Sequence, residues 1–127
     1  MEMREIQPQA GIYPAEDYVH AMALSGAARM LFVSGTMGLD DDGTAPSTLD
    51  AQLDLVWANI RRILSEADMT TANIVRVTSY LRDASYVVAN QNARLAALGG
   101  RRVATTAIIV QTLSPDWLVE IEVVAAA

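Results

Sequence analysis

Cysteine is absent from the 127 residues, so disulfides, thiolate metal sites and cysteine nucleophiles are excluded. Basic residues are also scarce: nine Lys and Arg stand against fifteen Asp and Glu, giving a net charge of −6. Nucleic-acid binders take much of their affinity from phosphate contacts and normally carry a basic stripe. Here the only basic clusters are the pairs Arg61-Arg62 and Arg101-Arg102, so no nucleic-acid partner is expected. Histidine occurs once, at His20, and no carboxylate cluster has ligand spacing, so no metal site is expected. No EF-hand pattern follows Asp40-Asp41-Asp42, which reads as a solvated turn. Gly35-Thr36-Met37-Gly38 lacks the flanking motif and lysine of a phosphate-binding loop, and no cofactor is expected. No apolar run approaches the length needed to span a bilayer. The opening Met1-Glu2-Met3-Arg4-Glu5 carries acids where a signal peptide needs an apolar stretch, so the chain reads as cytoplasmic, without a membrane partner.

Apolar residues, by contrast, are plentiful. They make up 52% of the chain, against 19% charged residues. The length suits one domain, read as residues 1–127, because a second unit would leave each half with too small a core. An apolar excess of this size predicts that some of it meets a partner chain.

Apolar runs at 18–24 and 30–34 flank Ser25-Gly26-Ala27-Ala28 and predict a hairpin. From 47 to 67 the period becomes helical, with Leu49, Leu53, Val56, Ile60 and Ile63 on one face and Ser47 with Asp50 resembling a capping box. Trp57 and Trp117 fit core positions, and Asn59 fits a helix edge or a cap on a neighbouring loop. Residues 74–81 are rich in β-branched side chains and predict a strand. Asp83 then offers a helix N-cap, with Val87, Val88, Leu95 and Leu98 as the buried side and Gly99-Gly100 as the stop. Strands at 104–111 and 117–124 follow, joined by a turn at Ser114-Pro115-Asp116.

The expected class is α+β, in the order β-β-α-β-α-β-β, with two helices covering one face of a mixed sheet. Along the last strand Trp117, Val119, Ile121 and Val123 alternate with Leu118, Glu120, Glu122 and Val124. The first set suits the core. The second puts two carboxylates on the uncovered face, where Ser34, Thr78 and Thr105 or Thr106 join them according to register. Such a face suits either solvent or another subunit with small polar pockets left between.

The element order and four strings resemble the RidA (YjgF) family. The strings are Phe32-Val33-Ser34-Gly35, the helix carrying Asn59-Ile60, Val75-Arg76-Val77-Thr78-Ser79-Tyr80-Leu81, and Val119-Glu120-Ile121-Glu122. The resemblance runs from about Tyr13 to the end of the chain. It implies a chorismate-mutase-like fold, a homotrimer, a small-molecule ligand in an intersubunit cleft, and hydrolysis of reactive enamines and imines. It further implies that Glu120 positions the attacking water, that Tyr18 lines the cleft, and that Ser34 and Asn90 shape the pocket. His20 stands where many members have glutamine, and shares a strand face with Tyr18.

One departure bears on substrate. Typical deaminases of the family clamp the substrate carboxylate with an arginine in a P-A-R-S/T string. Counting back without gaps from Leu113 and Glu120 places Thr105 at that position. A threonine hydroxyl carries no charge, so a clamp is expected only if Arg101 or Arg102 reaches the cleft. The expected site is therefore Glu120, Tyr18 and His20 for catalysis, with Ser34, Asn90, Thr105 and Arg102 binding substrate. The alternatives are a binding or regulatory member without catalysis and, more weakly, a translation-inhibitor, ribonuclease-like or holdase role.

Overall fold

The computed structural model describes residues 1–127. Six strands and two helices occur in chain order: β1 (Glu2–Ile6), β2 (Ala21–Ser25), β3 (Met30–Met37), α1 (Leu49–Glu66), β4 (Ile74–Leu81), α2 (Val87–Ala97), β5 (Ala104–Ile109) and β6 (Val119–Ala126). The expected order stands, with β1 added in front. No helix is long and apolar enough to cross a membrane.

The main sheet has the order β3-β6-β4-β5. β6 is antiparallel to both β3 and β4, whereas β5 runs parallel to β4. Parallel neighbours need a crossover, and α2 provides it. From the Ser114–Asp116 turn the chain crosses β4 and enters as the second strand of the sheet rather than pairing with β5.

The expected hairpin between residues 18–24 and 30–34 does not form. β2 pairs instead with β1, from Glu2↔Ser25 to Ile6↔Ala21, in a separate two-stranded ribbon, while β3 pairs with β6. The reason is physical: an apolar run signals a strand but not its partner. β1 is largely exposed and mixes Glu, Met and Arg, so it carries no apolar alternation to detect. Tyr18 and His20 lie before β2, where Val19 is buried and its amide donates to the Val103 carbonyl at 3.2 Å.

On α1 the cap is Thr48, not Ser47. Thr48 has the extended backbone of an N-cap, and its Oγ accepts the Ala51 amide at 3.2 Å. The buried stripe is Leu53, Val56, Trp57, Ile60 and Leu64, with Gln52 beside it, whereas Ile63 lies on the exposed side. Gln52 is buried because every polar atom of its side chain is used. Its amide donates to the carbonyls of Pro46 and Asp116, both at 2.8 Å, and its oxygen accepts the Leu118 amide at 2.9 Å. That one side chain ties α1 to the loop that launches β6. Asn59 donates to Met37 and Leu39 at 3.1 and 2.9 Å and so holds the segment after β3.

Asp83 caps a short 3-10 turn (Ala84–Tyr86) that leads into α2. Val87 and Val88 are solvent-facing, Val88 at 67% exposure, contrary to expectation. The buried face of α2 is Asn90, Arg94 and Ala97, followed by buried Leu98. The helix can bury Arg94 here because the ends of its guanidinium find partners, as described below, whereas the Asn90 side-chain oxygen is buried without a partner in this chain. Gly99 and Gly100 take positive φ angles of 63° and 81° and end the helix as expected.

The core lies between the helices and one face of the sheet. β6 supplies Val119, Ile121, Val123 and Ala125, all buried, while Glu120, Glu122 and Val124 point to the other face. Burial of each large aliphatic side chain contributes about 2 kcal/mol. Ile121 is fully enclosed at the centre of the sheet. Replacing Ile121 with Ala should cost about 3 kcal/mol through lost burial and a residual cavity, readable as a lower urea midpoint at unchanged m-value.

Candidate functional site

The uncovered face of the sheet brings β4 and β6 side chains into cross-strand pairs. Thr78 lies opposite Glu122, and Tyr80 opposite Glu120. β5 adds Thr106 beside Thr78 and Ile108 beside Tyr80. Arg76, on the same face, donates to the Thr106 hydroxyl at 3.0 Å.

A cavity of about 340 Å³ opens here, lined by Gly35, Tyr80, Thr112, Leu113, Glu120 and Glu122 among others. Its loop wall is held in place. Arg82 donates to the Thr112 hydroxyl at 2.7 Å and to its carbonyl at 3.0 Å. The Thr112 hydroxyl in turn lies 2.7 Å from the Trp117 carbonyl.

Glu120 owes its position to a missing side chain. The register of β3 on β6 shifts between Val33 and Thr36, a bulge that contains Ser34 and Gly35. A Cβ on Gly35 would overlap the Glu120 carboxylate, which lies directly over the glycine. Ser34 and Gly35 also line a neighbouring depression that includes Asn59 and Arg62, so the bulge separates two concavities.

The Tyr80 hydroxyl donates to the Glu122 carboxylate. This hydrogen bond is the main reason the phenol pKa rises above its ordinary value of 10. Burial and the charges of Glu122 and Glu120 add to the rise, and Arg76 opposes it. At neutral pH Tyr80 is a phenol, not a phenolate.

Tyr18 and His20 belong to a second cluster. The His20 ring meets Tyr13 and Tyr18 edge to face, with centroids 4.9 and 5.9 Å apart, and its Nε2 lies 2.9 Å from the Tyr13 carbonyl. Partial burial, then the nearby Tyr13 phenol and Asp17 carboxylate, raise the Tyr18 pKa and keep it protonated. His20 borders a depression with Arg76, Ala104 and Val124. Arg76 is four residues before Tyr80 on β4, roughly 13 Å along an extended strand. Within one chain, then, Tyr18 and His20 do not meet Glu120.

Thr105 points away from the Glu120 cavity, since the register puts Thr106 on the uncovered face. The Thr105 hydroxyl donates to the Val103 carbonyl at 2.8 Å and lies 3.3 Å from an Arg94 nitrogen. Arg94 is only 3% exposed, and its guanidinium forms an ion pair with Asp17 and donates to the Asp17 carbonyl at 3.0 Å. Asn90 is buried one turn earlier on the same helix face. Arg101 spends its guanidinium on the Thr71 and Ile74 carbonyls at 3.0 and 2.8 Å. Arg102 reaches Glu5 at 3.5 Å and borders a depression formed by Gln7, Pro8, Ile12 and Pro14.

Sequence reading passed over Tyr80 and the Arg94–Asp17 pair. A signal for each was present. Tyr80 follows Thr78 by two and so shares its face, and Arg94 follows Asn90 by four.

The sequence model of the Endoribonuclease L-PSP family matches residues 8–127, and the chain belongs to that family, which is also the family of the Rid and YjgF proteins. The crystal structure of YyfB from Yersinia pestis, a Rid-family protein of unknown function, superposes with a TM-score of 0.86 over 100% of both chains at 28% identity. RidA from a Psychrobacter species shares the fold, with a TM-score of 0.73 and 23% identity over 98% of this chain and 99% of its own. A RutC family protein of Aquifex aeolicus is 33% identical over 82 residues, a match that spans 64% of this chain and 63% of that relative.

Two outcomes follow from this geometry. Gly35→Ala should leave the fold intact, because only the tip of a flexible side chain must move, but should displace the Glu120 carboxylate, as a crystal structure of the variant would reveal. Asp17→Ala should cost about 3 kcal/mol in denaturant unfolding, by stranding a buried guanidinium. It should cost more than Arg94→Met, which leaves a part-exposed carboxylate that water can solvate.

Proposed function

We propose that the protein is a homotrimeric, cytoplasmic hydrolase of a small, reactive imine or enamine, residues 1–127 forming one unit whose cleft lies between copies. The observation that carries this reading is the Glu120 carboxylate, seated over Gly35 at the wall of a cavity sized for a small metabolite. The chain has neither cysteine nor lysine, so attack by a cysteine thiol and a lysine Schiff base are unavailable, and direct attack by water fits the carboxylate that is present.

The chemistry asks for little. An iminium carbon is already electrophilic. Water adds to it while Glu120 takes one of the water protons, and the carbinolamine forms. Return of that proton to nitrogen lets ammonia leave with the C–N electron pair, while the hydroxyl gives its proton to the Glu120 carboxylate and the carbonyl closes. Tyr18, a phenol, and His20 would assist proton movement at the far wall, and Ser34 would shape the neighbouring depression beside the bulge; Asn90, Thr105 and Arg102 lie outside the Glu120 cavity and would act only on its surroundings.

Two features support a cleft completed by a second copy. The Tyr18–His20 cluster and Glu120 lie at opposite ends of β4. The uncovered face between them carries exposed apolar side chains, including Phe32 at 74% exposure and Ile108, which association would bury.

One observation favours a second reading, a small-molecule-binding or regulatory protein without turnover. No guanidinium lines the Glu120 cavity, Thr105 is turned away from it, and Arg101 is committed to backbone carbonyls. A substrate with an α-carboxylate would find no clamp on this chain's own cavity wall.

Ammonia release from imines made in situ by an amino-acid oxidase, with a carboxylate-free imine included, separates the two. The hydrolase reading expects acceleration by wild type, most for the carboxylate-free compound, and loss of turnover in Glu120→Ala with the oligomer intact on size-exclusion chromatography. Unchanged turnover in that variant would remove Glu120 from the mechanism. Thermal stabilisation by a metabolite without any acceleration would establish the binding reading.

A further inference from the structure

Tyr80 borders the Glu120 cavity with its hydrogen-bonding capacity half spent. A phenol has a single proton, and here it goes to the Glu122 carboxylate, which accepts it. The lone pairs of the Tyr80 oxygen therefore remain as acceptors. Directly across the β4–β6 pair, on the same face and in the same cavity, Glu120 offers a second acceptor. Facing residues in an antiparallel pair have Cβ atoms about 5 Å apart, a span that one water can bridge between two longer side chains.

A water held by one acceptor still rotates about that bond. A water whose two hydrogens are both taken has its oxygen lone pairs turned toward whatever else occupies the cavity, which is the orientation that attack on an electrophilic carbon requires. We propose that Tyr80, fixed by Glu122, is the second acceptor for the nucleophilic water, so that Glu120 and Tyr80 hold it jointly. The inference rests on the hydrolase reading and assigns a role to two residues that reading leaves unused. The electrostatics agree with it. Glu122 and Glu120 both oppose ionisation of Tyr80, so its proton stays on the phenol and remains directed at Glu122.

The step balances without any further reactant. The water loses one proton to Glu120 as its oxygen bonds to carbon. The other hydrogen, held by Tyr80, stays on the new hydroxyl while the proton on Glu120 passes to nitrogen. As the C–N bond breaks and ammonia leaves with its electron pair, the Glu120 carboxylate takes the hydroxyl proton, the carbonyl forms, and that proton ends on ammonia as ammonium. Glu122 touches neither water nor substrate. It acts as a positioning residue through Tyr80.

The test is a double-mutant cycle on imine hydrolysis by the full-length protein, with kcat and KM read separately. Tyr80→Phe removes the acceptor and keeps the ring. It should lower kcat on the order of 10²-fold with little change in KM, because the lost contact is to the reacting water and not to bound substrate. Glu122→Ala should lower kcat by a smaller factor, since the phenol stays but is no longer aimed. The Tyr80→Phe/Glu122→Ala double variant should be no slower than Tyr80→Phe alone, because Glu122 acts only through Tyr80; loss confined to kcat, with KM and thermal stability unchanged, is what a merely structural contact would not produce. Wild-type kcat in Tyr80→Phe, or losses in the two single variants that multiply in the double, would overturn the role of Tyr80 while leaving the hydrolase reading in place. Absence of turnover by wild type on every imine would remove that reading and the role of Tyr80 with it.

Discussion

The central position of β6, antiparallel to both β3 and β4, obliges its alternate residues to serve two environments. Val119, Ile121 and Val123 close the core under the helices, and a shift of register by one residue would turn them out and bring Glu120 and Glu122 in. Burying two unpaired carboxylates is so unfavourable that the register has no competitor. The same constraint therefore holds the fold together and delivers the carboxylates to the uncovered face. Gln52 strengthens it from the helix side by accepting the amide that precedes β6.

Once β6 is in place, small local features set the chemistry. The bulge at Ser34-Gly35 lets the backbone of β3 pass beneath Glu120 without a side chain in the way. Tyr80 reaches Glu122 diagonally rather than its own cross-strand partner, which leaves Glu120 free. Thr112 is pinned by Arg82 and by the Trp117 carbonyl, which anchors the loop beside the cavity. The result is a concavity dominated by acceptors, suited to directing a water and unsuited to holding an anion.

The guanidinium nearest Thr105 belongs to Arg94 and arrives from α2. It is spent. Asp17 neutralises it, and the pair serves to fasten the segment bearing Tyr18 and His20 against β5. A buried ion pair of this kind gives little net stability compared with an apolar replacement, but it specifies one arrangement, because either partner left alone is penalised. In this chain the arginine near Thr105 has a structural use.

Much of this was legible in the sequence because it rests on short-range periodicity. The 3.6-residue period of α1, the β-branched run of β4, the two-residue alternation of Val119-Glu120-Ile121-Glu122 and the Gly99-Gly100 stop all describe how a chain relates to its immediate neighbours. The resemblance carried by those same strings also fixed attention on Glu120. What only the tertiary structure decided is which distant segments pair. That β2 joins β1 instead of β3, that β6 enters between β3 and β4, that Thr106 and not Thr105 shares a face with Glu122, and that Arg94 meets Asp17 all depend on contacts between residues far apart in the chain. Local propensity records what a segment can become, whereas burial and satisfaction of polar groups across the whole molecule select its partner.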